Sequence, residues 1–316
     1  MKDYLRLIRW QNLLFLAMIV WTMEKWVAVP VLRTAGVPPM MPWWIMVLLM
    51  SAVVLIAAGG YVINDYFDVK IDRINRPDRL VVTTSVTKQQ AMRIFQITSA
   101  CGVVCGLLVS WLVRSWQLAT VFMFVPGLLW FYSASYKRMF LIGNLIVAFC
   151  AAVVPLLVAM TDASLMMHSE DYAPLYVLVG RSLFGWTGGF ALFAFLTTWI
   201  RETVKDLQDQ NGDRELECHT LPVVLGTRWT QVVVTVLVLL TAALLCWFHW
   251  RVLPFDRSFS SLPTRYLVFG LLVPFACELA LLWSARIPSD FRTAQGLLKF
   301  IMFLGVLYSA VVWRML

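Results

Sequence analysis

The chain has 316 residues, of which 60% are hydrophobic and 14% charged. An average soluble domain carries about 25% charged residues, so charge is too sparse here to cover a water-facing surface, and a soluble globular protein is excluded. The formal charge of +8 therefore reads as Lys and Arg marking cytoplasmic loops, with a share left for an anionic substrate; no nucleic acid partner is expected.

Apolar runs of bilayer-spanning length recur along the sequence and do not alternate, which points to membrane helices and away from a β-barrel. A short basic start (Lys2, Arg6, Arg9) precedes a first span over about residues 10–31, closed by a Pro/Gly loop with Pro30, Gly36, Pro38 and Pro39. No small-residue cleavage site follows a short apolar core, so no cleavable signal peptide is expected. The second span, about 43–63, runs straight into Asn64-Asp65-Tyr66-Phe67-Asp68-Val69-Lys70-Ile71-Asp72, and residues 64–90 form either a polar loop or an extension of the helix. Spans three and four lie near 91–113 and 117–132 and are followed by a basic link ending in Lys137-Arg138. The fifth, about 140–160, leads into an acidic loop over 161–172 with Asp162, His168, Glu170 and Asp171. The sixth, about 174–200, runs into a second acidic stretch from Glu202 to Asp213, and three more spans sit near 229–250, 266–285 and 296–312.

The expectation is an all-α polytopic membrane protein of about nine transmembrane helices. They form one bundle, and residues 1–316 form a single domain. Most of the 26 Lys and Arg residues fall on the side that holds the N-terminus and the 2–3, 4–5, 6–7 and 8–9 connections. The positive-inside bias makes that side cytoplasmic and, with an odd number of spans, leaves the C-terminus outside. Both acidic stretches lie on the cytoplasmic side. Span two feeds one and span six, four helices later, feeds the other, which suggests two four-helix units plus one helix.

Each acidic stretch contains D-x-x-D-x-x-x-D: Asp65, Asp68 and Asp72 in the first, Asp206, Asp209 and Asp213 in the second. On a helix, steps of three and four gather three carboxylates on one face, where they repel unless something cationic balances them. Solvated surface charge is the ordinary reading of an acidic run. Here the spacing repeats, and Asn64 and Gln208 add neutral oxygen donors. Mg²⁺ takes oxygen ligands, commonly one or two carboxylates together with substrate phosphates. Two such faces suit Mg²⁺ and a diphosphate, with Arg76, Arg79, Lys137, Arg138, Arg201 and Lys205 as candidate basic partners. A proton or ion pathway needs ionisable groups inside the spans. There the exceptions are Glu24-Lys25, read as an interfacial pair, Arg181, and Glu278, read as a hydrogen-bonded packing residue. The six cysteines show no C-x-x-C and read as small packing residues. His168 is predicted on the opposite side, and His219 reads as a loop residue.

At these residues the sequence resembles the UbiA superfamily of intramembrane prenyltransferases. The first motif is complete at Asn64, Asp65, Asp68 and Asp72, and the second stands at Asp206, Asp209 and Asp213. The Arg9/Asn12 start, the Arg76-Pro77/Arg79 segment and the run from Tyr132 through Lys137-Arg138 to Asn144 also match. The segment Arg201-Glu202-x-x-Lys205-Asp206-x-x-Asp209-x-x-Gly212-Asp213 is similar to the branch that prenylates geranylgeranylglyceryl phosphate. Quinone-type members often carry R-P-L-P-S-G after the first motif, where this chain has Arg79-Leu80-Val81-Val82-Thr83-Thr84-Ser85.

The resemblance implies an enzyme that transfers a polyprenyl group from a prenyl diphosphate to a lipophilic or phosphorylated acceptor in the bilayer of a bacterial or archaeal-type plasma membrane. Mg²⁺ is the implied cofactor, held by Asn64, Asp68, Asp72, Asp209 and Asp213, with Asp65 and Asp206 as ligands or their supports. Asp68, Asp72, Asp209 and Asp213 are the implied catalytic set. Substrate binding falls to Asn64, Arg76, Arg79, Tyr132, Lys137, Arg138, Arg201, Lys205, Arg9 and Asn12. Tyr66, Tyr132 and Tyr136 either face an allylic cation or anchor the interface. An aromatic quinone precursor is the alternative acceptor, and a cation-coupled transporter is the alternative from another class.

Overall fold

A computed structural model describes residues 2–75, 80–252 and 258–316. Arg76 and Arg79 lie outside the described residues. Nine helices among them are long and apolar enough to cross a membrane: α1 (Trp10–Thr34), α2 (Trp43–Asn75), α3 (Lys88–Leu112), α4 (Trp116–Ala134), α5 (Ile142–Met167), α6 (Ala173–Glu215), α7 (Thr227–Arg251), α8 (Leu262–Ser284) and α9 (Pro288–Met315). With this many apolar helices and no strand among the described residues, the protein is an all-α integral membrane protein. Trp43, Trp111, Trp116 and Trp229 are largely exposed near helix ends, where amphipathic rings suit a headgroup layer.

Two of the helices outrun the bilayer. α2 has 33 residues, about 50 Å at 1.5 Å per residue, against a hydrocarbon core of about 30 Å. Its last turns, which carry Asn64 to Asp72, need not be buried in lipid. The segment after residue 63 is therefore helix as far as Asn75, and its final residues, Lys88 to Gln90, already belong to α3. α6 is longer still and carries the second acidic stretch within the helix, which ends at Glu215.

The chain divides into two compact units, Met1–Lys137 with Val153–Gly189 and Arg138–Ala152 with Phe190–Leu316. In the first, α2 packs on α1, α3 and α4, and most extensively on α3. Small residues permit that approach. A Cβ on Gly102 would lie 2.9 Å from the backbone nitrogen of Ile56, and one on Gly106 would enter the Phe122 ring. A second apolar cluster sits under the acidic end of α2. Val62 and Val69 from α2 meet Leu7 of the short helix Lys2–Leu7, Ala91 of α3, and Val81, Val82 and Val86 from the connection between α2 and α3. That connection leads into a capping box. Thr87 Oγ1 accepts from Gln90 N at 3.2 Å, and Gln90 Oε1 accepts from Thr87 N at 2.9 Å.

In the second unit, Ile200, Val204 and Leu207 of α6 pack with Val234 and Val238 of α7, Phe275 and Leu282 of α8, and Leu298 and Ile301 of α9. Two hydrogen bonds reinforce these contacts: Gln231 Nε2 donates to Leu282 O at 2.8 Å, and Tyr266 Oη donates to Leu304 O at 2.8 Å.

Three sequence expectations need correction. Asp162 is not in an acidic loop: α5 continues to Met167, and Asp162 is fully buried, facing Glu24 of α1. Glu24 is not interfacial, because a π-helical stretch, Met23–Ala28, turns it fully inward while Lys25 stays half-exposed with its ammonium 3.7 Å away. Glu278 is fully buried, yet among the described residues neither carboxylate oxygen has a hydrogen-bond partner.

Candidate active site

The first motif is built by α2 alone. Helical spacing places Asp65, Asp68 and Asp72 on one face, next to the face through which Val62 and Val69 enter their apolar cluster. Burial of the two valines thus fixes the rotation of the acidic turns. Asn64 is buried and donates Nδ2 to Asp68 Oδ2 at 2.7 Å, which leaves its own Oδ1 as an oxygen donor. The other oxygen of Asp68, Oδ1, takes the ammonium of Lys137, which lies in the short 3₁₀ turn Tyr136–Arg138 after α4.

Asp65 is paired with Arg9, whose Nη2 donates to Asp65 Oδ1 at 2.7 Å. Arg9 caps α1 with a left-handed backbone, φ 52°, and its guanidinium lies 4.9 Å from the centre of the Tyr61 ring. Burial opposes its charge, but Asp65, Tyr61 and Asp68 outweigh that and raise its pKa above the ordinary arginine value. Asn12 is half-buried one helical turn on, and its backbone N–H donates to Arg9 O at 2.8 Å. Tyr66 is covered by Lys88, with the ammonium 5.5 Å from the ring centre. Tyr132 is half-buried near the end of α4. The first unit therefore gathers Arg9, Asn64, Asp65, Asp68 and Lys137 around one end of α2. Asp72, one turn on, is half-buried.

The second motif is held by neutral donors. Asn144 Nδ2 donates to Asp206 Oδ2 at 2.8 Å, and Thr220 Oγ1 donates to Asp213 Oδ2 at 3.1 Å. The backbone of Cys218 also turns back to Asp213 O, at 2.9 Å. Asp209 lies half-buried between them in sequence. Ile200, Val204 and Leu207 bury the opposite face of α6, so helical rotation again aims the carboxylates away from the core. Arg201 and Lys205 are engaged within their own helix: Glu202 takes Arg201 through Oε1 and lies 3.6 Å from Lys205 through Oε2. The Arg138 side chain is exposed, while its carbonyl accepts from His219 N at 2.8 Å and so ties the basic link to the segment after the motif.

Two supports were missed in the sequence. Thr220 gave no signal, since a lone Thr seven residues beyond an Asp has no distinctive spacing. The roles of Val81, Val82 and Val86 were legible only as a departure from R-P-L-P-S-G; their contribution is the apolar seat under α2.

The donors in both motifs are oxygens. Among the described residues, no three Asp, Glu, His or Cys side chains converge closely enough to hold a metal ion by themselves. Such a donor set suits a hard ion held through one or two carboxylates and completed by phosphate and water.

Comparison with known proteins gives consistent results. Residues 26–309 match the model of a family described as the UbiA prenyltransferase family. The digeranylgeranylglyceryl phosphate synthase of Pyrococcus horikoshii is 32% identical over 184 residues, covering 58% of this chain and 58% of that protein. The synthase of the same name from Thermococcus gammatolerans is 35% identical over 172 residues, covering 54% and 53%. The chain thus spans little more than half the length of these curated relatives. In fold, it is similar to a UbiA homolog from Archaeoglobus fulgidus bound to GPP and Mg²⁺, with a TM-score of 0.60, 15% identity and 99% of each chain covered.

Proposed function

The chain belongs to the UbiA prenyltransferase family, and we propose that within it this protein transfers a polyprenyl group from a prenyl diphosphate to a glycerol-phosphate-type lipid acceptor. The observation that carries the proposal is the repeated acidic helix end: two D-x-x-D-x-x-x-D faces, each aimed by burial of the adjoining apolar face. The acceptor class is supported by relatives named digeranylgeranylglyceryl phosphate synthase.

The donor chemistry fits Mg²⁺: Asn64, Asp65, Asp68 and Asp72 from the first motif, and Asp206, Asp209 and Asp213 from the second, offer only oxygens. When bound, the ion supplies positive charge beside a departing diphosphate. The chain's own residues do the rest. Arg9 and Lys137 bring cations to the first motif, where they stabilise negative charge that grows as the diphosphate leaves. Asn144 and Thr220 hold Asp206 and Asp213 in orientation, as hydrogen-bonded supports of ligating carboxylates do. Each motif follows a long apolar stretch of its helix, a setting suited to a hydrocarbon tail and to keeping water from an allylic cation. The reaction breaks the C–O bond to diphosphate and forms one from C1 of the prenyl group to the acceptor oxygen, whose proton is released. The whole chain acts as one domain, in a plasma membrane, with the N-terminus and both motifs cytoplasmic and the C-terminus outside.

The test is a purified-enzyme assay of prenyl diphosphates against geranylgeranylglyceryl phosphate, a naphthoate, a hydroxybenzoate and haem. Transfer to the glycerophosphate lipid, abolished by Asp68→Ala, by Asp209→Ala or by EDTA, is the expected result. Full activity with EDTA or with either variant refutes the mechanism, and preferred transfer to an aromatic ring refutes the acceptor class. Reporter fusions at the two termini test the orientation.

A further inference from the structure

The two acidic motifs are balanced differently. In the first, Asp68 is engaged on both oxygens: Oδ1 takes the Lys137 ammonium, and Oδ2 accepts from Asn64 at 2.7 Å. Both ends of the ion pair are largely enclosed, with side-chain exposures of 10% for Lys137 and 13% for Asp68. A cation arriving at Asp68 therefore meets a charge already in place. A divalent ion beside an undisplaced ammonium is opposed by like-charge repulsion at short range. Lysine is a point charge on a flexible four-carbon stem and can swing away. Its stem is carried by a single 3₁₀ turn. Arg9 differs, because its guanidinium is held between Asp65 and the Tyr61 ring and has less freedom to leave.

We infer that Lys137 is the resident counter-ion of Asp68 and that a divalent cation replaces it there, with the displaced ammonium passing to a diphosphate oxygen. This rests on the reading of the first motif as a site for metal and diphosphate. It makes Lys137 a positioning residue that couples the two ligands. Metal and diphosphate each favour the arrangement in which the ammonium has left Asp68, so each strengthens the binding of the other, and the coupling is reciprocal. Bare metal binds weakly because Lys137 must first be displaced with no anion to receive it.

The experiment uses the full chain in detergent, with Mn²⁺ as the metal probe followed by electron paramagnetic resonance, and then Mn²⁺-pyrophosphate binding by calorimetry. Lys137→Gln is expected to bind Mn²⁺ alone about tenfold more tightly than the unaltered chain, the low end of what removal of one competing charge at contact distance gives. It is also expected to bind Mn²⁺-pyrophosphate several-fold more weakly. Lys137→Met should behave alike and stands in if the Gln variant does not fold. Arg93→Gln removes one exposed charge on α3 and should leave Mn²⁺ affinity within about twofold, as a charge screened by solvent does. The opposite signs are the signature: a purely structural lysine weakens both ligands when lost. Unchanged or weaker Mn²⁺ binding in both Lys137 variants overturns the inference, as does an equal gain in Arg93→Gln. If the unaltered chain binds no Mn²⁺ even with pyrophosphate present, or binds Mn²⁺-pyrophosphate equally after Asp68→Ala, the metal reading of the motif itself fails, which separates the two outcomes.

Discussion

Gly102 and Gly127 allow the packing of the first unit to be tested with one chemical change in two surroundings. Both lie in helix interiors, in α3 and α4. A Cβ at Gly102 would sit 2.8 Å from Ile56 Cγ1, 2.9 Å from Ile56 N and 3.1 Å from Leu55 Cβ. The backbone nitrogen cannot rotate away, so α2 and α3 must separate by a large fraction of an ångström along their most extensive contact. At Gly127 nothing lies within 4 Å. Gly→Ala gains about 1 kcal/mol of helix propensity at either position, and that gain cancels in the comparison. What remains is overpacking at Gly102, about 1–3 kcal/mol. Gly102→Ala should therefore be less stable than Gly127→Ala by about that amount, measured by reversible unfolding in mixed micelles. Because α2 also carries Asp65, Asp68 and Asp72, the Gly102 variant should lose turnover as well. Equal midpoints for the two variants would refute close packing of α3 on α2.

Asn144→Ala removes the donor to Asp206 and should lower turnover about tenfold, within the 10–100-fold range for lost supports of metal ligands, with the fold retained by circular dichroism; unaltered turnover refutes the supporting role. Thr87→Ala opens the capping box of α3 and should cost about 1 kcal/mol in the same unfolding assay. Thr87→Ser, which keeps the hydroxyl, should restore most of that.

How far the sequence could be read depended on whether a feature was periodic. The long apolar runs identified the nine spans, and steps of three and four placed each aspartate set on one helical face, because bilayer thickness and helix geometry act on every residue alike. Boundaries were less accessible. The helix beyond Ile63 is polar and charged, so hydropathy stops there, while hydrogen bonding and the seat around Val69 continue the helix to Asn75. The capping signal Thr87-x-x-Gln90 is present in the sequence, but it falls within a polar stretch whose hydropathy fits a loop or a helix extension equally. Asp162 was misplaced for the same reason: a carboxyl at the end of an apolar run looks like an exit from the membrane, whereas Glu24, more than a hundred residues earlier, makes its surroundings polar. For Arg201 and Lys205 the sequence shows only two cations beside an acidic motif; the structure adds that Glu202, one residue and three residues away, pairs with both within the helix.

Arg9 separates stability from function most sharply, because it carries two independent features. Its left-handed backbone, φ 52°, costs an L-residue roughly 1–2 kcal/mol that glycine does not pay. Its side chain bonds Asp65 at 2.7 Å, but with exposures of 38% and 20% that pair is worth no more than about 1 kcal/mol. Arg9→Ala loses the ion pair and keeps the strain. Arg9→Gly loses the ion pair and relieves the strain, offset by glycine's greater freedom in the unfolded chain, about 0.5–1 kcal/mol. The Gly variant should therefore be the more stable of the two by up to about 1.5 kcal/mol. Both should lose turnover equally, because both leave Asp65 without its guanidinium and deprive the diphosphate of the same cation. Steady-state assays beside unfolding midpoints decide the matter. If turnover follows stability, so that Arg9→Gly recovers activity that Arg9→Ala lacks, then Arg9 acts by shaping the entry to α1, and its charge has no part in catalysis.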